Sequence, residues 1–163
     1  MYSIPLISLV KRDHRCAETQ KVHLIPQNLP RHWRLAPFRL RCVSMFREVL
    51  QGKIHHATVT EADVSYVGSI TIDRDLIDLA GFWIGQKVLV VSNTTGARLE
   101  TYVIEGPRSS GIIGMNGAAA HVIRKGEQII IIGFTLAQAP VEPRVILVDP
   151  ANRFVRELHE ARE

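Results

Sequence analysis

The chain has 163 residues, of which 46% are apolar, and a formal net charge of +4. This length is typical of one domain with a real hydrophobic core, and its apolar runs are far shorter than the roughly 20 residues of a membrane-spanning helix. Residues 1–44 carry eight Lys and Arg against two acidic residues, whereas the remainder carries 12 against 14. The positive charge therefore belongs to the N-terminal segment, which argues against nucleic acid as the partner of the body.

Residues 1–44 differ from the rest of the chain in composition. They contain both cysteines and four of the eight prolines but no glycine, and they lack helical or strand periodicity. The two cysteines match neither a disulfide framework nor a metal-binding spacing. We predict an irregular, basic N-terminal extension, either disordered or an over-extended start before Met45, and a mitochondrial-type presequence stays open on composition. Residues 45–163 contain no cysteine, which agrees with a reducing cytoplasm.

From Met45 the pattern changes to short strands separated by glycines. Strands are predicted at residues 53–60, 69–72, 87–92, 97–105, 128–134 and 144–148. Asp73 is expected to cap a short helix that ends at Gly81, and residues 117–122 to form a helical turn. Residues 93–96 form a hairpin loop between two of the strands. Many short strands with little helix are typical of a mainly β protein built as a small barrel.

The peptide bond between Gly68 and Ser69 is the first candidate for chemistry. A serine hydroxyl can attack the carbonyl that precedes it, and glycine tolerates the backbone angles that this attack needs. The resulting ester breaks by β-elimination, and hydrolysis leaves a ketone, a pyruvoyl group, at the new N-terminus. Because an isolated Gly-Ser pair is also a common turn before a strand, the interpretation depends on its surroundings.

Those surroundings resemble the pyruvoyl-dependent aspartate 1-decarboxylases. The matching residues are Lys53-Ile54-His55, Ala62-Asp63, Tyr66-Val67-Gly68-Ser69, Ile72-Asp73, Asn93-Thr94-Thr95-Gly96, Arg98, Thr101-Tyr102, Ile113 and Asn116-Gly117-Ala118-Ala119-Ala120-His121. The match is ordered and nearly free of gaps between Met45 and about Pro150.

The resemblance implies a fold and an activity. It makes residues 45–163 a double-psi β-barrel with short helices, self-cleaved at Gly68–Ser69 into a β chain (45–68) and an α chain (69–163). It implies decarboxylation of L-aspartate to β-alanine and CO₂ for pantothenate biosynthesis, in a cytoplasmic homo-tetramer of four α and four β chains with active sites between neighbouring protomers. Whether cleavage requires a maturation factor stays open.

The resemblance also assigns the two central catalytic roles. Ser69 is the precursor of the pyruvoyl group, whose carbonyl takes up the substrate amine as a Schiff base without metal or pyridoxal phosphate. Tyr102 is the expected proton donor, a role that requires its hydroxyl close to the reacting carbon. The structural alternative for Tyr102 is a strand residue that packs its ring into the barrel.

The resemblance assigns further residues to processing and to substrate binding. Processing involves Gly68, Ser69, Thr101 and Asn116. Substrate binding involves Thr101, Gly117, Ala118, Ala119, Arg98 and Lys53, with His55 and Tyr66 as further residues lining the site. An arginine can hold a carboxylate with two hydrogen bonds whereas a lysine offers a point charge, and Gly117 permits a positive φ. Thr101 and Tyr102 should point to opposite sides of their strand. No spacing such as HExxH predicts a metal site.

Two other functions stay open from the sequence. A small β-barrel can be a binding module, with the basic N-terminal segment as an arm that contacts phosphate. An inert homologue would keep the fold without cleaving. Both alternatives predict an intact chain, whereas a pyruvoyl enzyme must be split at Gly68–Ser69.

Overall fold

β-Strands dominate the computed structural model of the protein, which describes residues 44–159. The nine strands within this range are β1 Arg47–Thr58, β2 Glu61–Asp63, β3 Ser69–Asp73, β4 Lys87–Ser92, β5 Arg98–Gly106, β6 Ile113–Asn116, β7 Gln128–Ala137, β8 Arg144–Val148 and β9 Phe154–Glu157. The two helices are α1 Arg74–Ala80 and α2 Ala119–Val122. The predictions of strands at β1, β3, β4, β5, β7 and β8, of the capped helix α1 and of a helical turn at α2 are confirmed.

The remaining strands were outside the sequence prediction for a common reason. All residues of β2 and β9 are exposed, and all four residues of β6 are buried, so none of them alternates. Their extended conformation comes from pairing with another strand rather than from a local pattern. The strand β1 also begins six residues earlier than predicted, at Arg47, and ends at Thr58.

The core lies on one face of the sheet because apolar residues alternate along the longer strands. In β4 the buried side chains are Val88 and Val90, and in β7 the corresponding pair is Ile129 and Ile131. Alternate residues of a strand point to opposite faces, so this pattern buries one side of each strand. Half-exposed apolar residues remain on the other side.

The sheet order joins strands that are distant in the chain. The order is β2-β6-β3-β5-β4-β7-β1-β8-β9, and the pairs β3–β5, β1–β8 and β2–β6 are parallel. β1 leads through Val59 and Thr60 into β2, and the Thr60 backbone N–H donates to the Ile113 carbonyl oxygen at 2.8 Å. Residues 59 and 60 therefore connect β1 and β2, two strands that lie far apart in this order. The fold is the expected mainly β, double-psi β-barrel with short helices.

A buried carboxylate anchors the loop between β4 and β5. Glu127 accepts hydrogen bonds from the hydroxyl groups of Ser92 and Thr95 and from the Arg124 backbone N–H. These bonds, above all the one from Ser92, lower the pKa of Glu127. The predicted hairpin is confirmed, with Gly96 at φ +78°. Since β5 begins just after this loop, the anchor sets the position of a strand that carries several candidate site residues.

One earlier prediction falls on a region that the structure does not describe. The irregular extension over residues 1–44 lies, apart from Ser44, outside the described residues. Among residues 44–159, none of the helices is both long and apolar enough to span a membrane.

Candidate active site

Ser69 lies at the start of β3, with 1% of its surface exposed. Ile70 and Ile72 of the same strand point into the core. Ser69 and Thr71 therefore face the other side of the sheet, because strand residues alternate. Asn116 of β6 is the antiparallel partner of Ser69, so the serine hydroxyl lies in a buried position beside a polar side chain.

The Asn116 carboxamide links two hydroxyl groups of β3. Its Nδ2 donates to Ser69 Oγ at 2.8 Å and to Thr71 Oγ1 at 2.9 Å. The Ser69 hydroxyl can in turn donate to the Val67 carbonyl oxygen, at a longer 3.4 Å. The amide nitrogen thus uses both of its hydrogens. Asn116 is in direct contact with Ser69, and its predicted role in processing stays a prediction.

Gly117 lies against the backbone of the candidate cleavage site. A Cβ atom at this position would be 2.8 Å from Gly68 Cα and 2.8 Å from the Tyr66 carbonyl oxygen. The residue also has φ +62°, and its backbone N–H donates to the Asp63 carbonyl oxygen at 2.7 Å. Only glycine meets both requirements without strain, so Gly117 holds the loop before Ser69 in close contact.

The loop before the candidate bond is shaped by Asp63. Its side chain accepts hydrogen bonds from the Ser65 backbone N–H at 2.8 Å and from Ser65 Oγ at 2.6 Å. These bonds lower the pKa of Asp63 and form a turn of the Asx type. Tyr66 follows, with a 53% exposed surface, so its ring is accessible from solvent next to Gly68.

Ala118 and Ala119 follow Gly117 at the start of α2. Ala118 is exposed and Ala119 is half-buried, and the short helix begins immediately after the contact of Gly117 with Gly68. Their side chains are small, and the substrate-binding role predicted for them stays a prediction.

Tyr102 and Thr101 lie on opposite faces of β5. In the parallel pairing of β3 with β5, Ile70 is opposite Val103, and both side chains are buried. Tyr102 comes one residue before Val103, and Ser69 comes one residue before Ile70. The side chains of Tyr102 and Ser69 therefore both lie on the outer face, which is the side of the sheet away from the core. Tyr102 is 41% exposed, which contradicts the alternative of a ring packed into the core. Thr101 turns to the core side, as expected from alternation.

The two candidate cations are far apart on the outer face of one protomer. Arg98 is at the start of β5, opposite Val91, whereas Lys53 is on β1, opposite Ile132 of β7. β4 and β7 lie between their strands. With neighbouring strands about 4.8 Å apart, the two backbones are separated by roughly 14 Å. The two cations therefore lie on different strands of this face, and their predicted roles in substrate binding stay predictions.

His55 shares the outer face of β1 with Lys53. Its ring stacks on His56 with 4.0 Å between the ring centroids, and its Nδ1 atom is buried without a hydrogen-bond partner. Desolvation, followed by the charges of His56 and Lys53, lowers the pKa of His55. His56 has φ +65° and lies at a bulge in the pairing with β7. The pair therefore distorts the strand locally.

Two residues contribute to this site although sequence analysis gave them no role. Thr71 is two residues after Ser69, and this spacing alone places both hydroxyls on one face of a strand. Asp63 belongs to the matching motif, but its contact with Gly117 joins residues more than fifty positions apart. No local pattern reveals a contact of that kind.

The residues around Ser69 fit a carbonyl group generated from that serine. Asn116 offers a buried donor 2.8 Å from Ser69 Oγ, the oxygen that leaves when this carbonyl forms, and the side of Gly68 is open, because a Cβ there would have nothing nearer than the Asn116 carbonyl oxygen at 3.9 Å. Such a group would lie at the start of β3, beside Asn116. Within residues 44–159 no group of three or more His, Cys, Asp and Glu is arranged to hold a metal ion.

Comparison with known proteins gives a consistent result. The family model described as aspartate decarboxylase matches residues 45–155. An aspartate 1-decarboxylase of Neisseria meningitidis serogroup C is 51% identical over 113 residues, which cover 67% of this chain and 89% of the relative. One from Carboxydothermus hydrogenoformans is 50% identical over 116 residues, covering 69% and 91%. The crystal structure of the computationally designed protein msDPBB_sym2 aligns with a TM-score of 0.34 and 15% identity, covering 53% of this chain and 99% of that one.

Proposed function

Since the chain belongs to the aspartate decarboxylase family, we propose that it converts L-aspartate to β-alanine and CO₂ for pantothenate biosynthesis, in the cytoplasm. The cofactor is a pyruvoyl group made from Ser69 by cleavage of the Gly68–Ser69 bond. The observation that carries this proposal is the buried Ser69 hydroxyl, held by Asn116 directly after a glycine that Gly117 contacts.

The atoms that react in the proposed cleavage come from the chain itself and from one water molecule. Ser69 Oγ attacks the Gly68 carbonyl carbon, the peptide C–N bond breaks, and the Ser69 nitrogen takes up a proton, which leaves an ester. Loss of the Ser69 Cα proton and of the Cβ–Oγ bond then releases the Gly68 carboxylate. Water replaces the nitrogen of the resulting dehydroalanine, so ammonia departs and a ketone remains. The Asn116 N–H is already directed at Oγ, the oxygen that leaves with Gly68.

The site residues then bind the substrate and return a proton. The pyruvoyl group, when present, acts as an electron sink for the electron pair left as CO₂ departs. Tyr102 lies on the same face as Ser69 and is solvent-accessible, so its hydroxyl is the proposed proton donor to the substrate α-carbon. Gly117, Ala118 and Ala119 leave room for the substrate next to residue 69.

We propose a homo-tetramer of processed protomers with each site between two neighbours. The outer face of β4 and β7 carries half-exposed apolar residues, namely Leu89, Val91, Ile130 and Ile132, as expected for an interaction surface. Arg98 and Lys53 lie on either side of this face and are separated in one protomer by roughly 14 Å. In this assembly, contact between copies across this face brings Arg98 or Lys53 of one protomer to Ser69 of the other. A monomeric mass under native conditions would contradict this assembly.

Intact mass spectrometry of the purified protein tests the proposed function. We expect two species divided at Gly68/Ser69, with the C-terminal fragment lighter by one ammonia than a fragment that begins with a free serine. The same sample should release CO₂ from L-aspartate. A single intact chain would overturn the proposal and would support a binding module or an inert homologue.

Replacement of Tyr102 by phenylalanine should separate cleavage from turnover. Because the hydroxyl serves only the decarboxylation, Tyr102→Phe should still split at Gly68/Ser69. CO₂ release per cleaved protomer should fall by about 100-fold or more, the usual contribution of a general acid. The measurement is CO₂ release normalised to the cleaved fraction, and wild-type rates would show that Tyr102 is not the donor.

A further inference from the structure

Asn116 makes two hydrogen bonds through one nitrogen, and only one of them reaches the serine. Nδ2 donates to Ser69 Oγ at 2.8 Å and to Thr71 Oγ1 at 2.9 Å. A primary amide nitrogen carries two hydrogens in a fixed planar geometry. An acceptor for the second hydrogen therefore sets the direction of the first. In this chain that acceptor is Thr71, on the same strand face as Ser69.

We propose that Thr71 is a positioning residue for self-cleavage, whose hydroxyl holds the Asn116 carboxamide in the orientation that directs an N–H at Ser69 Oγ. The inference rests on the proposed function, because it concerns the step that generates the cofactor. The Thr71 hydroxyl accepts its hydrogen bond from Asn116 Nδ2, so it acts through Asn116.

The chemistry explains why this direction matters. During elimination Ser69 Oγ leaves its Cβ and becomes an oxygen of the Gly68 carboxylate, so negative charge develops on it. A donor already directed at an oxygen that gains charge stabilises the transition state without reorganisation. If Thr71 loses its hydroxyl, the second amide hydrogen loses its partner and the carboxamide is free to rotate. The donor is then directed at Oγ for only part of the time.

The surrounding structure allows the hydroxyl to be removed without disturbing the strand. Thr71 is half-buried and lies between the core residues Ile70 and Ile72, with backbone pairing to Ile104 and Gly114. Valine has nearly the same shape and a strong preference for strands. Thr71→Val therefore removes one hydrogen bond, whereas Thr71→Ser retains the hydroxyl.

The test is a time course of cleavage for freshly made precursor, followed by intact mass. Thr71→Val should cleave about tenfold more slowly than the wild type, as expected when one hydrogen bond of this kind is lost. Thr71→Ser should restore most of the rate. Because the Ser69 hydroxyl no longer exists after cleavage, CO₂ release per cleaved protomer of Thr71→Val should equal that of the wild type once cleavage is complete.

A matched control is Thr135→Val, which makes the same change at a half-buried position of β7 paired with Val49 of β1, and it should cleave at the wild-type rate. Wild-type cleavage by Thr71→Val, slow cleavage by Thr71→Ser, or a parallel loss of cleavage, turnover and thermal stability would each overturn the inference. If the wild-type chain itself stays intact, the proposed function fails as well. Normal wild-type cleavage with no effect of Thr71→Val removes this inference alone.

Discussion

Ser69→Ala should yield a folded chain that is never cleaved and releases no CO₂ from L-aspartate. Alanine lacks the oxygen that attacks the Gly68 carbonyl, so neither the ester nor the ketone can form. The neighbouring hydroxyl of Thr71 is two residues along the strand and accepts the other Asn116 hydrogen. We therefore expect complete loss rather than a reduced rate, measured by intact mass and by CO₂ release.

The fold should survive this change, so the loss can be interpreted chemically. Ser69 is buried, and its side chain bonds to Asn116 and, at longer range, to Val67. Since Asn116 keeps its bond to Thr71, the cost in unfolding free energy should be about 1 kcal/mol. Ser110→Ala, an equal change in the exposed turn before β6, is the matched control and should cleave normally. Two fragments from the Ser69→Ala chain would refute the role of this residue.

Gly117→Ala should have the second largest effect, which we expect on the rate of cleavage. The new Cβ would lie 2.8 Å from both Gly68 Cα and the Tyr66 carbonyl oxygen, and backbone atoms cannot move away as a flexible side chain can. The loop that carries the Gly68 carbonyl must then shift, which displaces this carbonyl relative to the Ser69 hydroxyl. Because displacement by about 1 Å can cost two orders of magnitude in rate, we expect cleavage to slow by about 100-fold. The rate is read from the fraction of intact precursor over time.

The positive φ of Gly117 needs its own control. Alanine in the left-handed region costs about 1–2 kcal/mol wherever it occurs. Gly126→Ala introduces the same residue at φ +88°, with nothing within 4 Å of the new Cβ. This variant should lose stability but cleave at nearly the wild-type rate. Equal cleavage rates for the two variants would show that the contact of Gly117 with the loop has no role.

The alternation of the longer strands is local in the chain and led to correct strand predictions, and the motif around the Gly-Ser pair led to the correct family. Cleavage of the Gly68–Ser69 bond remains a prediction. Short-range patterns suffice for β4 and β7, because burial of every second residue appears directly as apolar alternation. The opposite orientations of Thr101 and Tyr102 followed from the same rule. The predicted roles of Lys53, Arg98 and Tyr102 remain predictions, since a protomer without substrate does not test them.

Contacts between distant segments could not be obtained in this way. The approach of Gly117 to Gly68, the bond from Asn116 to Thr71 and the roughly 14 Å between the strands of Arg98 and Lys53 all depend on which strands pair and in which register. Pairing partners are selected by packing over the whole barrel, whereas periodicity reports only which face of a strand is buried. The amino-acid pattern thus identifies the family and the candidate cleavage bond, and the folded chain specifies which side chains surround that bond.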